Sequence, residues 1–285
     1  SFNHKYITSQ AGAVNPDGNN GVSRSYDTSA QFLRYFDQTY NLVANFNRVF
    51  AEKHTVNVMA GTEFYKRRYR GFNASGYNAP TGYFPGLGLT QNDADVQSRS
   101  MSSWHNEEAI MSYFGRAEYD YMDKYLFAAT FRADGYSRLV NNKWGTFPGV
   151  SGGWVFSKEN FWNKLGLENI ITYGKLRASY GMNATINSSY LGYYTLQGAY
   201  SAYKYDGAYG YRISTLPNPN LKWEKTRTAE VGLDLGFLNN RFNLGMTYYN
   251  RLTMDKYSAL SLPRTTGFST VTYNNGQYRN AGVEL

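Results

Sequence analysis

The sequence predicts an all-β fold, namely a segment of a transmembrane antiparallel β-barrel with about eight or nine strands. Three observations predict it: apolar and polar side chains alternate along most of the chain, long and short connections alternate, and aromatic residues are abundant. The 285 residues include 28 Tyr, 17 Phe and 5 Trp, although the mean hydropathy is only -0.57. Tyrosine explains how many aromatic residues and a low mean hydropathy occur together, because its ring packs against apolar surface while its hydroxyl stays hydrated.

The period-two pattern is first clear in residues 41–47 and 56–64, on either side of a short turn around Glu52 and Lys53. Apolar residues at even positions alternate there with mostly polar residues at odd positions. Runs of about ten residues suffice to cross a bilayer on a tilt. Further strands are predicted at residues 150–156, 173–180, 225–235 and 242–251, and another begins at residue 278.

The clearest hairpin covers residues 109–134, with a turn at Met122–Lys124. Folding about Asp123 sets Tyr121 opposite Tyr125, so that both strands present one common apolar face. The residues predicted to face lipid are Tyr113, Ala117, Phe127, Ala129 and Phe131. The residues predicted to face a hydrated lumen are Arg116, Glu118, Arg132 and Asp134. Alternation alone does not separate this arrangement from a soluble sandwich.

The connections favour the barrel. Short turns are predicted near residues 51–54, 122–124 and 239–240, and long segments at residues 71–106, 182–222 and 258–277. Consecutive antiparallel strands place alternate connections at opposite ends, and outer-membrane barrels have short turns at one end and long loops at the other. The connection at residues 157–172 departs from the pattern, because it is of medium length on the short side; Ser157 is the predicted cap of a brief helix.

Composition excludes several classes of function. The chain has no Cys, and its three His are widely separated, so we predict no catalytic residue, metal site or cofactor and no enzymatic activity. No run of about 18 apolar residues exists, which excludes a transmembrane helix. The net charge of +8 comes from Lys and Arg scattered among Asp and Glu, so nucleic acid is not a predicted partner.

Several motifs resemble the barrel of SusC/RagA-like TonB-dependent transporters. They are Tyr119–Leu126, Arg132–Arg138, Trp144–Pro148, Asn218–Thr226, Leu262–Phe268 and Asn280–Leu285. Their order and approximate spacing also match the family. The resemblance covers residues 40–285, whereas residues 1–34 match loosely and are predicted to form a loop.

The resemblance implies a barrel of about 22 strands with an internal plug. It also implies TonB-dependent import of an oligosaccharide or peptide across the bacterial outer membrane, with a SusD-like lipoprotein at the cell surface. We expect residues 1–285 to be part of one β-barrel domain, with the plug domain and the C-terminal strands absent from this sequence. The alternative is a secreted soluble β-sandwich or solenoid that binds carbohydrate through exposed aromatic residues.

The candidate ligand site is the connection at residues 182–222, which contains eight tyrosines. They are Tyr190, Tyr193, Tyr194, Tyr200, Tyr203, Tyr205, Tyr209 and Tyr211. Such rings offer flat apolar faces and hydrogen bonds to sugars or peptides, or they pack the loop on itself or against a lid partner. Elsewhere, Gly135 is predicted to occupy a strained turn beside a lumen ion pair, and Trp144 and Trp223 to anchor strand ends at the membrane interface.

Overall fold

The computed structural model describes residues 2–11, 27–76, 86–90, 99–166, 170–239 and 241–285. Strands dominate this part of the chain, which confirms the all-β prediction. The strands are β1 (Phe2–Ala11), β2 (Asp27–Phe50), β3 (His54–Gly76), β4 (Arg99–Tyr121), β5 (Tyr125–Tyr136), β6 (Trp144–Trp154), β7 (Ile171–Thr185), β8 (Ala199–Tyr205), β9 (Ala208–Thr215), β10 (Glu224–Phe237), β11 (Phe242–Ser261) and β12 (Thr270–Glu284). One short helix, α1 (Asn160–Lys164), interrupts them.

Ten strands are hydrogen-bonded in the order β1-β2-β3-β4-β5-β6-β7-β10-β11-β12, and β8 and β9 form a separate hairpin. Within the described residues the sheet therefore has ten strands, close to the predicted eight or nine. Two compact units divide the chain: unit 1 comprises residues 1–39 and 65–109, and unit 2 comprises residues 40–64 and 110–285. No helix in the described ranges has the length and apolar character needed to span a membrane.

The predicted β4–β5 hairpin is confirmed to the residue. Tyr121 pairs with Tyr125, Tyr119 with Phe127 and Gly115 with Phe131. At the turn, Met122 and Asp123 have φ of 56° and 52°, and the Asp123 N–H donates to Asp120 Oδ1 at 2.6 Å. Two consecutive left-handed residues produce the tight reversal that keeps both strands in this register.

One face of unit 2 is apolar from strand to strand. The register carries it from Ala129 to Val150, from Val150 to Tyr180, and onward through β10 and β11. On it, Phe127 and Phe131 are 57% and 51% exposed. Further exposed members of this face are Tyr113, Ala117, Val150, Tyr180, Val231 and Tyr248. Such a wide apolar surface is unfavourable in water and suits a lipid environment.

Unit 1 contains its own ion-pair network. Arg67 Nε and Nη2 each donate to an oxygen of Asp37 at 2.9 Å, and Arg67 Nη1 lies 4.0 Å from Glu108. The Tyr35 and Tyr69 rings stack on the same side of the sheet, with centroids 4.5 Å apart. This side of the unit 1 sheet therefore combines charged and aromatic side chains.

Long and short connections alternate as predicted, but three predicted connections are wrong in extent. β3 continues to Gly76 and β4 begins at Arg99, so strand occupies both ends of the segment predicted as residues 71–106. Likewise β11 continues to Ser261 and β12 begins at Thr270, within the predicted segment 258–277. Residues 1–34 are not a single loop, because β1 and the start of β2 pair antiparallel there.

The medium-length connection between β6 and β7 contains a 3-10 turn at Phe156–Lys158 followed by α1. The prediction that Ser157 caps the helix is wrong: Glu159 occupies the N-cap position, and its side chain makes no capping hydrogen bond. Glu159 instead accepts hydrogen bonds from Tyr125 Oη at 2.7 Å and from Lys124 Nζ at 3.3 Å. This carboxylate therefore joins the connection to the β4–β5 turn.

Candidate functional site: the tyrosine loop and the polar face

A small buried core lies at the long-connection end of unit 2. Its members come from the end of β5 and the loop after it, from β6, from the 186–223 segment and from β11. They are Tyr136, Leu139, Phe147, Leu191, Leu196, Leu221, Trp223 and Tyr257. Leu139 and Leu191 are fully buried. Burial of about 1.5–3 kcal/mol per large apolar side chain gives the long connection a stable base instead of leaving it as an open loop.

Residues 218–224 fasten that base to neighbouring connections by hydrogen bonds. Asn218 Nδ2 donates to the Thr272 carbonyl at 2.8 Å, and the Asn141 side chain donates to Asn220 Oδ1 at 2.8 Å. Lys222 N donates to Asn274 Oδ1 at 3.0 Å. One short segment thus links the loop after β5 to β12.

The same segment supports an irregularity in β11. The register of β11 shifts at Lys256, and the preceding Asp255 has φ of 57°. Asn274 Nδ2 donates to the Asp255 carbonyl at 2.6 Å, and Lys222 Nζ lies 2.9 Å from Asp255 Oδ1. The Glu224 carboxylate accepts the Tyr257 backbone N–H. Side chains therefore replace the ladder bonds that the bulge removes.

The eight predicted tyrosines fall into two groups. Tyr190, Tyr193 and Tyr194 precede β8 and lie next to the buried Leu191 along the chain. The Tyr193 ring is stacked under the Arg138 guanidinium, with Cζ 3.6 Å from the ring centroid, and Arg138 Nη1 donates to the Leu191 carbonyl at 3.1 Å. Tyr193 is therefore part of the base of the loop. Of the roles predicted for these tyrosines, it packs the loop on itself.

The other five tyrosines lie on the β8–β9 hairpin, whose residues 202–214 are all exposed. The register places Tyr203 and Tyr205 on one face, and Lys204, Tyr209 and Tyr211 on the other. Tyr205, Tyr209 and Tyr211 are 75%, 83% and 84% exposed. The hairpin thus presents phenol rings on both faces, and Tyr200 adds a further exposed ring at its base.

Cations accompany these rings on each face of the hairpin. Arg212 Cζ lies 4.7 Å from the Tyr203 centroid, and Lys204 Nζ lies 5.4 Å from the Tyr209 centroid. A two-residue turn, Asp206 and Gly207 with φ of 49° and 81°, closes the hairpin. The arrangement provides stacking surfaces with positive charge beside them and a single carboxylate at the tip.

The opposite side of the unit 2 sheet is polar and carries the four residues predicted to face a lumen. Arg116 pairs with Glu118, and Arg132 Nε lies 2.8 Å from Asp134 Oδ1. Further along, Arg177 pairs with Asp234 at 3.2 Å. Three grooves of about 440, 590 and 540 Å³ run over this face. Arg116, Arg132 and Asp134 line one of them and Glu118 lines another.

The predicted roles of two residues, Gly135 and Trp223, change. Gly135 has no left-handed φ; it is required because a Cβ there would lie 2.9 Å from the Trp144 ring. Trp223 is buried in the core, where its Nε1 donates to the Lys143 carbonyl at 3.0 Å, so it does not anchor a strand at the interface. Trp144 is half exposed and stacks on Tyr113, which lies on the apolar face, as an interfacial ring would.

The family model described as TonB dependent receptor-like, beta-barrel matches residues 1–285. The chain belongs to this family of TonB-dependent receptors. It is 37% identical over 204 residues to the TonB-dependent receptor SusC of Bacteroides thetaiotaomicron, an alignment that covers 69% of this chain and 20% of SusC. It is 34% identical over 260 residues to the TonB-dependent receptor P3 of Formosa agariphila, covering 89% of this chain and 25% of that one.

Among solved structures, the RagAB peptide transporter superposes with a TM-score of 0.80 at 26% identity, over 97% of this chain and 30% of that chain. The resemblance to SusC/RagA-like TonB-dependent transporters is confirmed, and the fold is a partial segment of an outer-membrane β-barrel. The chain spans only a fifth to a quarter of the length of the curated relatives.

Proposed function

We propose that this chain forms part of the wall of a TonB-dependent importer that brings an oligosaccharide or a peptide across the outer membrane. A SusD-like surface lipoprotein is its partner, and the TonB complex supplies the energy. The observation that carries the proposal is the β8–β9 hairpin, which projects exposed tyrosines from a well-packed base at the long-connection end.

The two faces of the unit 2 sheet suit this role. Under the proposal, Tyr113, Ala117, Phe127, Ala129 and Phe131 contact lipid. Arg116, Glu118, Arg132 and Asp134 face the lumen, where their ion pairs keep opposite charges close together in a hydrated channel. A soluble sandwich would bury the apolar face, whereas Phe127 and Phe131 are half exposed.

The hairpin has the chemistry to hold either class of substrate. Phenol rings stack on sugar faces and on peptide groups, and their hydroxyls donate and accept hydrogen bonds at a small cost in side-chain entropy. A peptide is the substrate named for the RagAB transporter. Arg212 and Lys204 beside the rings would favour substrates that carry carboxylates.

The test uses the intact transporter with Tyr205, Tyr209 and Tyr211 replaced together by Ala, and in a second variant by Phe. The Ala variant should assemble normally, because none of these residues belongs to the buried core, yet it should lose substrate uptake. The Phe variant keeps the stacking surface and should retain most of the substrate uptake. Uptake of labelled oligosaccharide and peptide mixtures separates the two substrate classes.

Capture of the SusD-like lipoprotein by the same variants separates substrate binding from partner docking. Loss of partner capture with normal substrate affinity would assign the hairpin to the lid contact. Normal uptake and normal partner capture by the triple Ala variant would refute a role for the hairpin in either.

A further inference from the structure

We infer that the connection between β6 and β7, residues 156–165, is an interfacial anchor that inserts into the periplasmic leaflet of the outer membrane. The side chains of Phe161 and Leu165 lie among the lipids, at the boundary between headgroups and acyl chains. This placement rests on the orientation proposed above, in which the apolar face of the unit 2 sheet contacts lipid.

The connection folds back onto the apolar face of the sheet. The register pairs Trp154, the last residue of β6, with Leu176, which shares a face of β7 with Tyr180. Gly174 lies on the same face of β7, and a Cβ there would lie 2.2 Å from the Phe156 ring. Phe156 therefore covers the apolar face at this point, and the connection lies on the lipid side of the wall.

Ring contacts and hydrogen bonds hold α1 against this side of the sheet. The Phe161 ring packs on Trp154 with centroids 6.2 Å apart, and Trp154 Nε1 donates to Glu159 Oε1 at 3.4 Å. At the β7 end, Trp162 Nε1 donates to the Ile171 carbonyl at 3.1 Å. The position of α1 is thus fixed from both neighbouring strands.

Two apolar side chains of the connection remain uncovered. Phe161 is 44% exposed and Leu165 is 62% exposed, and their spacing of four residues places them on one side of α1. Through the contact of Phe161 with Trp154, this surface is continuous with the apolar face of the sheet. Lipid that covers the apolar face therefore extends over α1 as well.

Charged groups place the connection at the membrane surface rather than deep in the acyl chains. Lys158 Nζ lies 3.3 Å from Asp123 Oδ2 at the tip of the β4–β5 turn, where the Asp123 side chain is 76% exposed. Lys164, at the end of α1, is also exposed. Aromatic and apolar side chains beside such charges are typical of short segments that lie in the interface plane. An anchor also explains why this connection is longer than the other turns at its end of the sheet.

The depth test uses the intact transporter in phosphatidylcholine vesicles with single cysteines that carry a bimane fluorophore. The chain has no Cys of its own, and any Cys elsewhere in the transporter is replaced first. Labels at Phe161→Cys and Leu165→Cys should be quenched by lipids brominated near the headgroup and protected from aqueous iodide. Asn163→Cys, exposed on the other side of α1, is the matched control and should be quenched by iodide instead. Equal iodide quenching at all three positions would overturn the inference.

A second test measures what the lipid contact contributes to folding. Leu165 lies outside the buried core, so Leu165→Ser removes lipid contact without removing core packing. It should lower the equilibrium constant for folding into vesicles about five-fold, the factor expected when about half of a leucine side chain returns to water. Asn163→Ser should leave that constant unchanged. The same constant for both variants would contradict the anchor.

A further label at Phe127→Cys, on the apolar face of β5, distinguishes failure of the anchor from failure of the proposed orientation. If brominated lipid quenches the label at Phe127 but not the labels at Phe161 and Leu165, the anchor is refuted and the orientation stands. If it quenches none of them, the orientation itself is wrong. Substrate uptake by the tyrosine variants is measured separately and decides the import proposal.

Discussion

The Oε1 atom of Glu224, at the first residue of β10, accepts a hydrogen bond from the backbone N–H of Tyr257 at 2.6 Å. The Glu224 side chain is almost fully buried, and Tyr257 follows the register shift in β11. The bulge moves this N–H out of the regular ladder, and the carboxylate takes the place of a strand carbonyl. Glu224 is therefore a structural residue within the Asn218–Thr226 family motif.

Replacing Glu224 should reveal this role. Glu224→Leu leaves the Tyr257 N–H buried without an acceptor and should destabilise the intact transporter by about 1–3 kcal/mol. Glu224→Gln keeps an acceptor oxygen and should cost less. Thermal unfolding in detergent measures both, and Glu230→Gln, on the polar face of the same strand, is the control. Equal melting temperatures for the Leu variant and the wild type would contradict this account.

The orientation of the sheet is tested by a pair of neighbouring alanines on β5. Ala129→Arg places a charge on the apolar face, opposite Ala117, and should cost about 2–4 kcal/mol near mid-membrane. Ala128→Arg places the same side chain on the polar face, opposite Glu118, and should cost far less. Reversible folding into lipid vesicles measures both. Similar losses at the two positions would reject the assigned faces.

Packing at the short-connection end predicts that Gly174 cannot be replaced by a residue with a side chain without loss of stability. A Cβ at this position would lie 2.2 Å from the Phe156 ring, which is held edge-on against Trp154 and Trp162. Because the ring could give way only by disturbing its contacts with these two tryptophans, Gly174→Ala should destabilise by about 1–3 kcal/mol. Gly245→Ala, whose nearest neighbour would be Asp234 Oδ1 at 3.5 Å, is the matched control and should be nearly neutral. Chemical denaturation in detergent compares them.

Acid should loosen the β6–β7 connection through Glu159. The hydrogen bond from the Tyr125 hydroxyl, assisted by those from Lys124 and Trp154, holds the pKa of Glu159 below its usual value. A lowered folded pKa contributes stability at neutral pH that is lost as the pH falls through that pKa. The melting temperature of Glu159→Gln should therefore depend less on pH than that of the wild type in the acidic range. Parallel pH profiles would exclude the effect.

The sequence predicts those parts of the structure that local alternation of apolar and polar residues determines, and it does not predict the others. The register of the β4–β5 hairpin was predictable, because apolar and polar residues alternate on both sides of a tight turn. The far ends of β3 and β4 were not, since their alternating residues are polar and aromatic on both faces and match no lipid pattern.

The hydrogen bonds from residues 218–224 to the neighbouring connections are not predictable from the sequence for a different reason. The sequence motif is recognisable, but its partners Asn141, Thr272 and Asn274 lie about 50–80 positions away, a separation at which local pattern carries no information. The tyrosines were identified correctly as one loop. Only the structure separates Tyr193, which supports the base, from the rings exposed on the hairpin.

The pairing of Thr185 with Glu224 has a consequence for how such transporters diversify. Segment 186–223 leaves the sheet after Thr185 and returns to it at the same rung, so a change in its length does not shift the pairing of β7 with β10. The part of the segment before Asn218 is therefore exchangeable, provided that Leu191 and Leu196 are kept in the core around Leu139. Residues 218–223 must stay, because they bind the neighbouring connections and support the β11 bulge. Grafting a relative's loop between Thr185 and Asn218 offers a route to altered specificity on an unchanged barrel wall.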